Sequence, residues 1–319
     1  GTSLGAGDVT FGNNTFVAVG SDGSIERSTD NGSNWASVTS GTDKNLFGVT
    51  FANNTFVAVG EDGNILRSTD NGSSWDNATI SIDLTGNRLR GVTFGNNTFV
   101  GAGDNGYIVR STDNGTNWDN VTNTVGRVIW DIGFGNNTFV GVGDSGNILR
   151  STDNGTNWDN ATSGITTRIE DVAFGNNTFV AVSRSGNIVR STDNGSNWDN
   201  ATSPTGKALK GVTFGNNTFL GVGDSGNIVR STDNGINWDN ASTPTGYTIW
   251  DVTFGNNTFV GATHHGYIVR STDNGSSFVY VTSTQVLLSK VCHLKSVSFG
   301  NNAFVLVCTG GDILRSTDN

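Results

Sequence analysis

The sequence predicts an all-β fold, an eight-bladed β-propeller of four-stranded antiparallel blades, with a seven-bladed ring as the alternative. Three observations lead there. The string FGNNTF or a close variant begins at Phe11, Phe51, Phe94, Phe134, Phe174, Phe214, Phe254 and Phe299, at spacings of 40, 43, 40, 40, 40, 40 and 45 residues. A second string, STDNG, begins at Ser28, Ser68, Ser111, Ser151, Ser191, Ser231 and Ser271, and an eighth copy starts at Ser316 where the sequence stops at Asn319. No segment carries an apolar period of 3.6 residues, so helix is not expected. A unit of about 40 residues repeated in this way is the sequence form of a propeller blade, whose two sheet faces are buried only by neighbouring blades.

The elements follow in order along one unit, DIGFGNNTFVGVGDSGNILRSTDNGTNWDNAT from Asp131. Strand A covers Asp131 to Phe134 and strand B Thr138 to Val142, with Asn136-Asn137 turning between them because Asn tolerates the positive φ of a tight hairpin. Strand C covers Asn147 to Ser151, reached through Gly143-Asp144-Ser145-Gly146. Strand D surrounds Trp158, reached through Asp153-Asn154-Gly155. Counting gives eight A, eight B, eight C and seven D strands, more than seven blades require. The expectation is one propeller domain over 1–319, its last blade lacking an outer strand unless Gly1-Thr2-Ser3-Leu4 rebuilds a degraded corner after Asn319.

Composition agrees. The 319 residues carry 18 Lys+Arg against 28 Asp+Glu, a net charge of −10, which argues against nucleic acid or an anionic membrane as the main partner. The 45 glycines alone would fit disorder, but the regularly placed 8 Trp and 18 Phe favour short strands and tight turns. No apolar run reaches membrane-spanning length. Cys292 and Cys308 are the two cysteines. They flank strands A and B of the last unit, either as a clamp in an oxidising compartment or as two buried thiols.

The segment STDNGTNW at Ser151 to Trp158 matches Ser-x-Asp-x-Gly-x-x-Trp, and the chain resembles the Asp-box, or BNR, propellers on that basis. Asp30, Asp70, Asp113, Asp153, Asp193, Asp233 and Asp273 supply the carboxylates. Trp35, Trp75, Trp118, Trp158, Trp198 and Trp238 supply the indoles, and Phe278 replaces the seventh. In that family the box is structural and peripheral: the carboxylate accepts backbone N–H groups, Gly supplies positive φ and the ring pins the hairpin. The preceding Gly-x-Ile-x-Arg is similar to photosystem II assembly-factor-like propellers, and sialidases share the box, so the resemblance leaves function open.

Several patterns read as chemistry only out of context. Gly141 to Gly146 fits G-x-G-x-x-G, but a strand follows where a dinucleotide site needs a helix. Asp113 to Asn120 lacks the ligand spacing of a calcium loop. His264-His265 replaces the usual Asp-Ser, and with no third ligand in the sequence it reads as an exposed loop; no metal and no cofactor are expected. The Arg residues before each box, among them Arg150, read as bridging nearby carboxylates such as Asp119 or Asp159, with a basic ring for an acidic partner as the functional alternative.

The units differ mainly just before strand A, at Phe47, Arg90, Trp130, Glu170, Lys210, Trp250 and Lys295, followed by Gly48, Gly91, Asp131, Asp171, Gly211, Asp251 and Ser296. Strand A is innermost in a propeller, so Arg90, Trp130, Asp131, Glu170, Asp171, Lys210, Trp250 and Asp251 form the candidate ligand site at one mouth of the channel. Trp beside Asp suits a sugar, and packing between blades is the structural alternative. Catalysis is not expected: three Glu and four Tyr give no Tyr/Glu pair at matching inner positions, and short connections leave no cleft. The expected function is a carbohydrate-binding or adhesion propeller, then a protein-docking or assembly-factor scaffold, with a sialidase-like glycosidase least favoured. The expected partner is a glycan or a protein, and the expected state is a monomer or part of a longer chain. Frequent Asn-x-Thr sites and low Lys content suggest a secreted or cell-surface location, with the periplasm as another such compartment.

Overall fold

A computed structural model describes residues 7–121, 126–281 and 292–317. It contains eight antiparallel sheets in a ring. Their innermost strands, blade 1 to blade 8, are Asp8–Gly12, Leu46–Ala52, Leu89–Gly95, Ile129–Gly135, Ile169–Gly175, Leu209–Gly215, Ile249–Gly255 and Leu294–Gly300. Within blade 4 the order continues outward through Thr138–Gly143, Asn147–Ser151 and Asp159–Thr162. Trp158 thus ends the box turn and strand D begins one residue later. Blade 3 gains a parallel outer segment, Thr79–Ile80, which leaves blade 2 and pairs with Asn117–Val121. Blade 8 shows three strands among the described residues; the proposed closure by Gly1-Thr2-Ser3-Leu4 lies outside them. Eight blades, not seven, complete the ring.

The turns obey local chemistry. Every A–B hairpin has two consecutive Asn at positive φ, for example Asn136 at 47° and Asn137 at 58°. Two left-handed residues in a two-residue loop match the right-handed twist of the strands they join. In the box of blade 4, Ser151 Oγ donates to Asp153 Oδ1 (2.8 Å) and accepts the Gly155 N–H (2.9 Å), and Asp153 Oδ1 accepts the Asn157 N–H (2.9 Å). The Trp158 indole N–H closes the corner on the Gly155 carbonyl at 3.1 Å. Inside the sheet Phe134, Phe139 and Trp158 form a line, with ring centres 4.6 and 6.4 Å apart.

No blade owns a core. Each apolar cluster joins the outward side of one blade to the facing side of the next: Val140, Val142 and Ile148 of blade 4 pack on Ile169, Val172, Phe179 and Trp198 of blade 5. The seam between blades 8 and 1 is built alike, with Ala303, Val305 and Val307 against Val9, Phe16 and Ala18. At the end of strand A in every blade but the second, where Ala52 stands, a glycine lies under the Phe of the following blade: Gly135 under Phe174, Gly175 under Phe214, Gly300 under Phe11.

The box is also a latch between blades. The strand C arginine of one blade donates through Nε to the carbonyl of the box Asn in the next: Arg27 to Asn71 (2.7 Å), Arg150 to Asn194 (3.0 Å), Arg315 to Asn31 (2.6 Å) across the closing seam. The amide of the same Asn turns to strand B of the preceding blade, as Asn274 does to Thr218 Oγ1 at 2.7 Å. This corrects the expected Arg–Asp bridging. Arg150 and Asp159 stand 3.9 Å apart, and Asp159 is 81% exposed, so that pair is worth little. A backbone carbonyl in the next blade is the better acceptor because the left-handed box turn presents it to the seam. Cys292 and Cys308 are disulfide-bonded, with Cα atoms 5.7 Å apart, and clamp strands A and B of blade 8.

The glycine-on-phenylalanine contact sets a steric limit. Gly175→Val is expected to lower unfolding stability by about 1–3 kcal/mol, since a side chain there must displace Phe214. Gly206→Ala, where no atom lies within 4 Å of the added methyl, is the near-neutral control. Chemical denaturation of the two variants checks both.

Candidate functional site

In blades 2 to 8 the A–B register slips at one residue. In blade 4 Ile129 pairs with Gly143 while Asp131 pairs with Val142, which leaves Trp130 as the extra residue. The same slip falls on Phe47, Arg90, Glu170, Lys210, Trp250 and Lys295. A bulge re-aims a side chain and twists the strand. The positions where the blades differ are therefore those released from the ladder, free to vary without cost to the sheet.

These residues and their successors surround a cavity of about 270 Å³ on the ring axis. Phe47, Trp130, Asp131, Glu170, Asp171, Lys210, Trp250, Asp251 and Lys295 line it, together with Asp8 of blade 1. Arg90 stands behind that wall and reaches it through Trp130. The box carboxylates Asp30 to Asp273 and their indoles lie at the other end of each blade and take no part.

A belt of charge and aromatic rings runs around the mouth. The guanidinium carbons of Arg90 and Arg168, from blades 3 and 5, lie 4.0 and 3.9 Å from the Trp130 ring centre. Arg90 is held by Asp104 at 2.7 Å and Trp130 Nε1 donates to Asp144 at 2.7 Å. Glu170 Oε1 faces Arg168 (2.7 Å), Arg184 (2.9 Å) and Lys210 (3.5 Å). Lys295 Nζ lies 3.4 Å and Lys210 Nζ 5.5 Å from the Trp250 ring centre. Cations over indole faces are attracted by the ring quadrupole. Each Trp ring is thus already engaged by a neighbour's cation. Among the described residues the Trp250 indole N–H has no acceptor, because His264 stands in blade 7 where blade 4 has Asp144.

Beneath the belt four carboxyl groups point along the channel and tie the inner strands together. Asp8 accepts the Val49 N–H, Asp131 the Val172 N–H, Asp171 the Val212 N–H and Asp251 the Val297 N–H, at 3.0, 3.1, 2.7 and 2.8 Å. Each bond crosses from one blade to the next. Ser296 Oγ adds a bond to Asp8 at 2.7 Å across the closing seam. Burial raises the Asp8 carboxyl above its usual range. Burial and the neighbouring Asp131 raise Asp171 well above it. Burial, with Asp8 nearby, pushes Asp251 up to about 7. The box carboxylates behave oppositely: the backbone and side-chain N–H groups of Asn34 hold Asp30 down to about 2.

The fold brings together seven of the eight sequence-predicted mouth residues on the cavity wall and puts Arg90 one layer behind. Sequence reasoning missed Asp8, which the count back from Phe11 would have aligned with Asp131. It also missed Arg168 and Arg184, which enter from the D–A connection and the B–C turn of blade 5. Where the sequence offers no third ligand beside His264-His265, the fold supplies His293.

The family profile described as photosynthesis system II assembly factor YCF48 matches residues 2–317. Among solved structures, YCF48 bound to D1 peptide is 19% identical and superimposes with a TM-score of 0.67, covering 86% of this chain and 92% of that chain. YCF48 from Cyanidioschyzon merolae is 20% identical, with a TM-score of 0.66 and coverage of 85% and 95%. The computationally designed Ika8 protein is 14% identical, with a TM-score of 0.79 and coverage of 99% and 96%. No curated protein matches significantly. At these identities the structural likeness shows the fold.

The channel carboxyls make stability depend on pH. A carboxyl at about 7 in the folded chain and 3.8 when free contributes stability that is complete below about pH 4 and lost as pH rises through 7. Asp30, lowered to about 2, contributes stability present above about pH 4 and lost toward pH 2. The thermal midpoint is therefore expected to peak on the acid side of neutrality and fall from pH 4 to pH 7. In Asp251→Asn that fall should be shallower, as differential scanning calorimetry across the range would record.

Proposed function

The chain belongs to the photosynthesis system II assembly factor YCF48 family, and from that premise we propose that it is a non-catalytic docking propeller whose channel mouth receives an anionic segment of a protein partner. The belt carries this reading. Arg90, Arg168, Arg184, Lys210 and Lys295 gather there in a chain of net charge −10; Asp104 pairs with Arg90 and Glu170 faces Arg168, Arg184 and Lys210, while among the described residues Lys295 has only an indole face beside it. Three of the carboxyls below them are shifted toward the neutral form. The mouth is thus a cationic spot on an acidic molecule, suited to attracting a carboxylate-bearing peptide and orienting it. A related structure holds a peptide, which supports the same mode here.

A glycan is the weaker reading for a physical reason. Sugar stacking needs a free indole face, and Trp130 carries two guanidinium groups while Trp250 carries an ammonium. The two channel carboxylates with the strongest elevation already bond backbone N–H groups, which supports structure over acid–base work. The Cys292–Cys308 bond supports a non-cytosolic, oxidising location.

Titration with a synthetic acidic peptide, followed by tryptophan fluorescence, tests the proposal. Saturable binding should weaken at least tenfold in Lys295→Ala or Lys210→Ala and fall as salt is raised. Gly206→Ala should bind as the parent does. Binding indifferent to both cation substitutions, or a glycan-array signal without peptide binding, overturns it.

A further inference from the structure

The three histidines of the chain come from two blades and meet at one place. His264 and His265 occupy the B–C turn of blade 7, and His293 precedes strand A of blade 8. The ring centres of His264 and His293 are 3.7 Å apart, and those of His264 and His265 are 4.5 Å apart with the rings nearly perpendicular. One nitrogen from each ring lies within 4.8 Å of the other two. We propose that this trio is a binding site for a divalent transition-metal ion with imidazole preference, Zn²⁺ being the probe of choice.

The repeat supplies its own reference. At the turn positions of His264 and His265 blade 3 has Asp104-Asn105, blade 4 Asp144-Ser145 and blade 6 Asp224-Ser225; at the position of His293 other blades have Arg88, Val128, Ala208 and Thr248. The turn pair thus replaces an Asp that blades 3, 4 and 6 share, and His293 occupies a position that varies from blade to blade. The departure has a structural cost, since His264 replaces the carboxylate that would accept the Trp250 N–H, and that buried donor is left unmet.

The backbones that carry the rings are fixed. The His264 N–H donates to the Thr248 carbonyl at 2.8 Å, and the Thr309 N–H to the His293 carbonyl at 3.1 Å. The side chains are less committed. The His265 N–H reaches His293 Nδ1 at 3.5 Å, a contact weak enough for a metal to replace at that lone pair. Zn²⁺ binds imidazole nitrogen at about 2.0–2.1 Å, which sets nitrogens on one tetrahedral ion roughly 3.4 Å apart. To converge on one ion the stacked rings of His264 and His293, 18° apart in plane, must open from their parallel arrangement. Three protein nitrogens leave a fourth position for water or a partner's ligand, and Tyr247, 4.5 Å from His265, walls one side.

The test uses untagged, chelator-treated full chain. Calorimetric titration with Zn²⁺ at pH 7.5 should show one saturable site per chain, and the thermal midpoint should rise with the metal. His265→Asn and His293→Thr carry residues that blades 3 and 7 accept at these places, so they should keep the fold. Each should weaken binding at least tenfold and abolish the thermal shift. Absence of one-per-chain binding in the parent, or unchanged binding in either variant, overturns the site.

Discussion

Apolar burial between blades is the interaction on which this structure rests. A forty-residue blade has two sheet faces and no interior of its own, so its hydrophobic residues leave water only when a neighbour covers them. Val140 and Val142 are buried because blade 5 brings Ile169 and Phe179 against them. A glycine beneath seven of the eight inner Phe rings, with Ala52 under Phe94, lets the blades approach closely at the axis, and the Arg-to-Asn latch ties them at the rim. Stability is therefore cooperative around the ring. The seam between blades 8 and 1 matters as much as any covalently linked pair.

The same geometry divides labour along each blade. The outer end is occupied by the box, whose polar groups are spent on its own corner and on the neighbour's arginine. The inner end carries the bulge, where one side chain per blade is freed from pairing and aimed at the mouth. Constancy at the rim and variety at the axis thus have one origin. A ladder fixes what takes part in it and releases what does not. The channel carboxyls sit between these regimes: they bridge blades through backbone N–H groups, yet burial brings Asp251 within reach of physiological pH.

Most of the fold was legible because turn chemistry is local. Paired Asn, the box serine, aspartate and glycine, and the repeat length each point to a blade, and the mouth positions emerged from comparing units. The bulge left a readable trace that alternation alone conceals: Ile129 and Ile132 are both buried although three residues apart, which requires one extra residue between them. Asp8 was hidden by aligning blade 1 only from Phe11. The arginine latch was not legible, since its acceptor is a backbone carbonyl about one repeat away and carries no residue identity. Convergence of His293 on His264 was likewise invisible. It depends on how two blades face each other beyond a connection of unusual length.

Because every seam is built from nearly the same pair of surfaces, the chain does not encode which blade must meet which. What selects the eighth blade as the partner of the first is curvature: eight wedges use up the full circle, and blade 8 then finds Phe11 and Asn31 where any other blade would find its successor. A chain interrupted between any two blades would present the same complementary faces at its new ends. Two molecules opened at different places could complete one another by exchange of blades, so protomer concentration during folding enters the biology of a ring of this kind as directly as sequence does.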